Sequence, residues 1–172
     1  MFKTFDNVLP DHIRQGALAV FPDEHWEWWH RYGNGKLATK DPCRVPAECR
    51  MALEELAKKC CPDEGFFDLS LVGAGLHLMP EGSELGEHRD AEYAAHRPWR
   101  RTGSLVYFLE YGNGGELVVD GDVIPAEQNQ AVYFPGNQLH YVRRTFQPRR
   151  TLSLFSYVVD HSKKTTTAAV FT

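Results

Sequence analysis

Long hydrophobic runs are missing from this chain. No apolar stretch approaches the roughly 20 residues that a membrane-spanning helix needs, so no membrane partner is expected. The opening Met1-Phe2-Lys3-Thr4-Phe5-Asp6 has no apolar core and no small-residue cleavage site, which argues against a secretory signal. With nothing directing the chain elsewhere, a cytoplasmic setting is expected. Cysteine is scarce. Cys43, Cys49, Cys60 and Cys61 contain no C-x-x-C pair, so a zinc knuckle is not expected and the four read as reduced thiols. A strong charge of one sign is also missing. The net charge of -4 over 172 residues gives no global reason to expect nucleic acid or an anionic membrane. Internal repeats, low-complexity tracts and long linkers are absent too.

What is present divides into a helical first third and a strand-rich remainder. Asp11 to Phe21 reads as a helix, with Ile13, Ala17, Leu18 and Phe21 on one face and Pro22 stopping it. Pro46 opens a second helix through about Lys59, whose apolar side is expected from Met51, Leu53, Leu56 and Ala57. Between them, Trp26, Trp28 and Trp29 are expected to pack a helix onto the rest. After Phe66 the pattern changes to short β-like runs: 68–72, 75–80, 86–90, 103–111, 115–120, 122–125, 130–135, 139–144 and 150–159. Asp120-Gly121 is a hairpin signal, because glycine tolerates the positive φ of a tight turn, and Gly112-Asn113-Gly114 is another turn. Short strands preceded by helices predict a mainly β fold, an antiparallel jelly-roll barrel with N-terminal helical support. We expect one domain over 1–172, divided into support (1–65), catalytic core (66–160) and tail (161–172).

Within the core, His88 and Asp90 sit two apart on a predicted strand, so both side chains project to one side. An imidazole and a carboxylate there are two adjacent metal ligands. A second histidine from elsewhere would complete a facial triad, which leaves positions open for a chelating cosubstrate and oxygen on non-haem Fe(II). By itself His-x-Asp is a weak signal, equally a solvated strand end. His96, His140 and His161 are the downstream candidates. His140 is preferred: it follows a strand, the Pro135-Gly136 turn and a new strand start. Ten residues further on, Arg150 opens the apolar run Thr151-Leu152-Ser153-Leu154-Phe155. A guanidinium entering such a strand needs an anionic partner, and an incoming carboxylate would give one.

These stretches, taken in order, resemble the prolyl-4-hydroxylase-like branch of the 2-oxoglutarate/Fe(II) dioxygenases. The resemblance covers Leu76 to Tyr157. It runs through Leu76-His77-Leu78-Met79-Pro80-Glu81-Gly82 to His88-Arg89-Asp90, then Ser104-Leu105-Val106-Tyr107-Phe108-Leu109 with Gly114-Gly115-Glu116-Leu117. Ala131-Val132-Tyr133-Phe134-Pro135-Gly136 before His140, and Arg150-Thr151-Leu152-Ser153, complete it. It implies a double-stranded β-helix and Fe(II) on His88, Asp90 and His140. It implies 2-oxoglutarate and O2 as cosubstrates, ascorbate as a stimulant, and release of succinate and CO2. The retained Asp90 implies hydroxylation rather than halogenation. Arg150 would grip the distal carboxylate of 2-oxoglutarate, with Arg149 competing for that role. Tyr107 and Ser153 are the further expected cosubstrate contacts, although the register leaves Tyr107 or Phe108 open. Tyr93, Trp99 and Arg101 are candidate substrate-loop residues. The expected substrate is a protein side chain, an amino acid or a small metabolite, with a nucleobase still open. The competing readings are a cupin-like barrel that binds a metal or ligand without oxygenase activity, and a zinc hydrolase on the same ligands.

Overall fold

In the computed structural model the described residues are 1–21, 27–29, 37–39, 45–60, 65–67, 75–90, 99–125 and 127–159. They form β1 (Lys3–Phe5), α1 (Asp11–Ala19), β2 (Glu27–Trp29), β3 (Leu37–Thr39), α2 (Ala47–Lys59) and β4 (Phe66–Phe67). The core follows as β5 (Gly75–Met79), β6 (Leu85–His88), β7 (Trp99–Glu110), β8 (Leu117–Val119), β9 (Asp122–Ile124), β10 (Ala131–Pro135), β11 (His140–Val142) and β12 (Arg149–Val159). Two antiparallel sheets result. The larger runs β1-β10-β7-β12-β5-β3-β2, with β4 also on β12, and the smaller runs β6-β11-β8-β9. This is the expected mainly β double-stranded β-helix with helical support.

Two apolar clusters lie on opposite faces of the large sheet. On the outer face, Leu76, Leu105, Tyr107, Leu109, Leu152 and Leu154 pack with Ile13 and Ala17 of α1 and Cys49, Ala52, Leu53 and Leu56 of α2. Between the sheets, Met79, Phe108, Val132 and Phe134 meet Leu117, Val119, Ile124 and Val142 of the small sheet. Alternation along each strand sorts side chains into these two clusters, so which face a residue takes decides whether it can serve the barrel interior. Asn129, at φ 65, ties the N-terminus to the barrel: its Oδ1 accepts the Leu9 N–H and the Tyr107 hydroxyl, each at 2.9 Å.

Both helices start directly after a proline, Pro10 and Pro46, whose fixed φ suits a helix entrance. Met51, expected on the apolar side of α2, is 46% exposed. The buried stripe runs instead through Cys49, Ala52, Leu53 and Leu56, at the i, i+3, i+4, i+7 spacing. Segment 27–29 is a strand paired to β3. The first expected strand, 68–72, lies outside the described residues, as do Trp26, Tyr93, His96 and the tail 161–172. Asp120 (φ 50) and Gly121 (φ 91) form the β8–β9 hairpin turn as expected. Among the described residues, no helix is long and apolar enough to cross a membrane.

Candidate metal centre

β6 and β11 are neighbours in the small sheet, and His88 pairs directly with His140. Their rings lie 4.1 Å apart between centroids. Asp90 sits in the turn just past the end of β6, two residues further than the strand itself extends. Its Oδ1 is 3.7 Å from Nε2 of His88 and its Oδ2 is 3.5 Å from Nε2 of His140. One ligand atom from each of the three lies within 4.8 Å of the others. The far nitrogens face backbone carbonyls: Nδ1 of His88 at 2.9 Å from Gly86 O, and Nδ1 of His140 at 3.1 Å from Gln138 O. Nδ1–H donation to those carbonyls fixes the tautomer that places the lone pair on Nε2, the ligand form of each ring. Burial holds His140 below the ordinary imidazole range, partly offset by Asp90, which favours the neutral ligand form. Ser104, on β7, donates its hydroxyl to Asp90 Oδ2, restricting how the carboxylate can rotate. Two imidazoles and one carboxylate converging from one side suit a divalent first-row cation with open positions.

Further into the barrel lies Arg149. It is 3% exposed and its Cζ stands 4.9 Å from the Phe108 ring centroid. Nη1 donates to Gly115 O at 2.7 Å, while the buried Nε has no partner. Among the described residues no carboxylate pairs with it. Burial lowers its pKa to about 10, so it remains a cation at neutral pH. A buried guanidinium with an unsatisfied N–H is costly unless an anion joins it. This fits a cosubstrate that brings its own carboxylate.

The family model described as the 2OG-Fe(II) oxygenase superfamily matches residues 74–157. The match identifies that stretch as a 2OG-Fe(II) oxygenase domain. This chain is a 2-oxoglutarate- and Fe(II)-dependent dioxygenase, and the family supplies the requirement for Fe(II), 2-oxoglutarate and O2. Among solved structures, a Pseudomonas putida prolyl-4-hydroxylase is 19% identical, with a TM-score of 0.66, over 90% of this chain and 91% of that one. A 2OG-Fe(II) oxygenase family oxidoreductase from Burkholderia pseudomallei is 17% identical, with a TM-score of 0.69, over 93% and 86%. A Trichoplax adhaerens prolyl hydroxylase, in complex with a hypoxia inducible factor oxygen degradation domain peptide fragment, is 14% identical, with a TM-score of 0.63, over 98% and 87%. At these identities the likeness is one of fold. A search of curated proteins found no match.

Two cosubstrate expectations for this oxygenase fall on the wrong face of the sheet. Arg150 faces the helices: its Nη1 is paired with Glu110 Oε2 and its Cζ lies 5.8 Å from the Phe21 ring centroid. Arg149 is the one turned inward. Tyr107 also faces the helices and donates to Asn129, so its neighbour Phe108 fills the interior position. Ser153 is on the inward face, paired with Val106 and Gly75. A bulge explains part of this. Thr151 pairs with Phe108 while Arg150 pairs with Glu110, so Leu109 is an extra residue on β7.

A second bulge, at Thr102, lies nearer the metal ligands. Gly103 pairs with Ser156 and Arg101 with Tyr157, so the alternation changes phase and Arg101 turns toward the dioxygenase's metal centre. Its guanidinium stacks 3.6 Å over the Phe155 ring and its Nη1 is 3.8 Å from Asp90 Oδ1. Its Nε is buried without a partner. Arg101 is therefore beside the triad, on β7 rather than in the loop where the sequence reading placed it. The side chain of Trp99 and the whole of Tyr93 fall outside the described residues. Arg143 and Arg144 are both exposed. Sequence reasoning missed Ser104, whose signal was its place one inward step before Val106 on a strand already identified.

Proposed function

We propose that His88, Asp90 and His140 hold the Fe(II) of this dioxygenase, and that Arg149 rather than Arg150 anchors the distal carboxylate of 2-oxoglutarate. The observation that carries this is the inward, buried guanidinium of Arg149, its Nε without a partner and no carboxylate paired with it among the described residues, in the same interior as the three converging ligand atoms. Bound there, iron and 2-oxoglutarate would supply oxidative decarboxylation to succinate and CO2 coupled to hydroxylation of a substrate C–H. The chain's own part is positional. Gly86 O and Gln138 O keep both imidazoles in the ligand tautomer, and Ser104 orients Asp90. Met79, Phe108 and Phe134 keep the interior apolar, which strengthens the pairing of Arg149 with an incoming anion.

The prime substrate is proposed to be a protein side chain or amino acid. Two features support this. Structural neighbours include prolyl hydroxylases, one captured with a peptide. In addition, Arg101 presents an unpartnered N–H beside Asp90, suited to a carbonyl or carboxylate on the substrate. The test is succinate formation from 2-oxoglutarate by purified protein with Fe(II) and ascorbate, without prime substrate. Slow turnover is expected in the parent, and a loss of at least about 100-fold in Asp90→Ala and His140→Ala. Equal turnover in parent and variants would overturn the assignment and leave a ligand-binding barrel.

A further inference from the structure

The inward residues of β5, β12 and β7 form rungs across the large sheet. Met79 pairs with Arg149. The next rung is His77, Thr151 and Phe108, followed by Gly75, Ser153 and Val106, then Phe155 with Ser104. Ser104 is the residue bonded to Asp90. The His77 rung therefore lies on the path from the Arg149 guanidinium to the triad. Electrostatics agree: both Arg149 and Asp90 act on the His77 imidazole. Around it the interior wall is largely apolar, with Met79, Phe108 and Val106. A Cβ at Gly75 would lie 3.0 Å from His77 Nε2. The ring thus lies along the wall over Gly75, its Nε2 directed toward the triad side. The side chain retains some accessible surface, and no hydrogen bond to its imidazole is made by the described residues.

We propose that His77 is a further cosubstrate-binding residue, hydrogen-bonding the dicarboxylate between its anchor at Arg149 and its chelating end at the metal. The inference rests on the reading of Arg149 as that anchor. A ligand spanning those two points runs past the His77 rung, where the imidazole offers the polar nitrogen that Phe108 and Met79 lack. Burial and Arg149 lower its pKa to about 4, so at neutral pH it is an uncharged ring with one donor and one acceptor nitrogen. The glycine at position 75 is part of the device, because a larger residue would occupy the space over which the ring lies.

Calorimetric titration of 2-oxoglutarate into Mn(II)-loaded protein tests this without turnover. His77→Phe keeps the bulk and removes the nitrogens; it should weaken 2-oxoglutarate binding about tenfold while Mn(II) affinity stays within about twofold. His77→Gln, which keeps a donor, should recover most of that loss. Gly75→Ala, which crowds the ring, should weaken binding several-fold and decides the matter if His77→Phe does not fold. Parent-like affinity in the folded variants would overturn the inference, as would parallel loss of Mn(II) and 2-oxoglutarate. Arg149→Gln separates the two readings. If it weakens binding while the His77 and Gly75 variants do not, only the role of His77 fails. If the parent binds no 2-oxoglutarate, or Arg149→Gln changes nothing, the anchor reading fails as well.

Discussion

Arg149 and Arg150 are neighbours in the chain and enter opposite environments. One guanidinium lies between Phe108, Met79 and Gly115 inside the barrel; the other pairs with Glu110 near Phe21 on the helical side. The role of each follows from the dielectric around it. An inward cation with an unpaired Nε gains most from an added carboxylate, since low-dielectric surroundings strengthen the pair. Arg149→Gln should therefore weaken 2-oxoglutarate binding by roughly 30- to 1000-fold, the scale of a broken buried charge pair. Arg150→Gln should leave affinity within about twofold and cost about 0.5 kcal/mol of stability, because the pair with Glu110 is partly solvated. Titration calorimetry and urea denaturation of both variants check this. The reverse ranking of affinities would return the anchor to Arg150.

At the scale of elements, β7 decides which side chains reach the site. Its bulges at Thr102 and Leu109 shift the alternation, turning Arg101 toward Asp90 and setting Glu110 against Arg150. Between the bulges, Gly103 lets the strand pass beneath Tyr133. A Cβ at 103 would lie 2.2 Å from the Tyr133 hydroxyl oxygen, which is hydrogen-bonded to Ser156 Oγ at 3.0 Å. Gly103→Ala should destabilise the fold by about 1–3 kcal/mol through overpacking. In a chain of this size that corresponds to a melting-temperature drop of roughly 2–12 °C. Differential scanning fluorimetry reads this directly. An unchanged melting temperature would mean that the β7–β10 contact is looser than the structure describes.

For the whole molecule, the interior imidazole links stability to pH. His77 binds its proton at about pH 4 in the folded state, against about 6.5 when unfolded. Above that unfolded value both states are neutral there, and stability does not vary through this group. As pH falls from about 6.5 to about 4, the unfolded state takes up more protons and the fold loses stability. The loss should approach about 3 kcal/mol at its upper limit, using 1.36 kcal/mol per unit. Arg149 and burial push in the depressing direction and Asp90 opposes them. Urea midpoints of EDTA-treated protein between pH 7 and pH 4 should fall, and His77→Phe should flatten part of that slope. An identical slope in parent and variant would show that the proton uptake lies elsewhere.

The sequence by itself determined the mainly β fold class with its helical support and picked out His88, Asp90 and His140 as a ligand set. Those features follow from local signals: alternation within strands, the Asp120-Gly121 turn, and imidazole and carboxylate types at fixed places in the strand succession. The sequence also narrowed the anchor to two adjacent arginines and the interior aromatic to Tyr107 or Phe108, and could go no further. A period of two gives relative facing along a strand but not its phase against the core, and one unpaired residue on a bulged strand changes that phase. Only the pairing of β12 with β7 and β5 decided that Arg149, Phe108, Arg101 and His77 face inward, because the extra residues at Leu109 and Thr102 exist only in relation to a neighbouring strand.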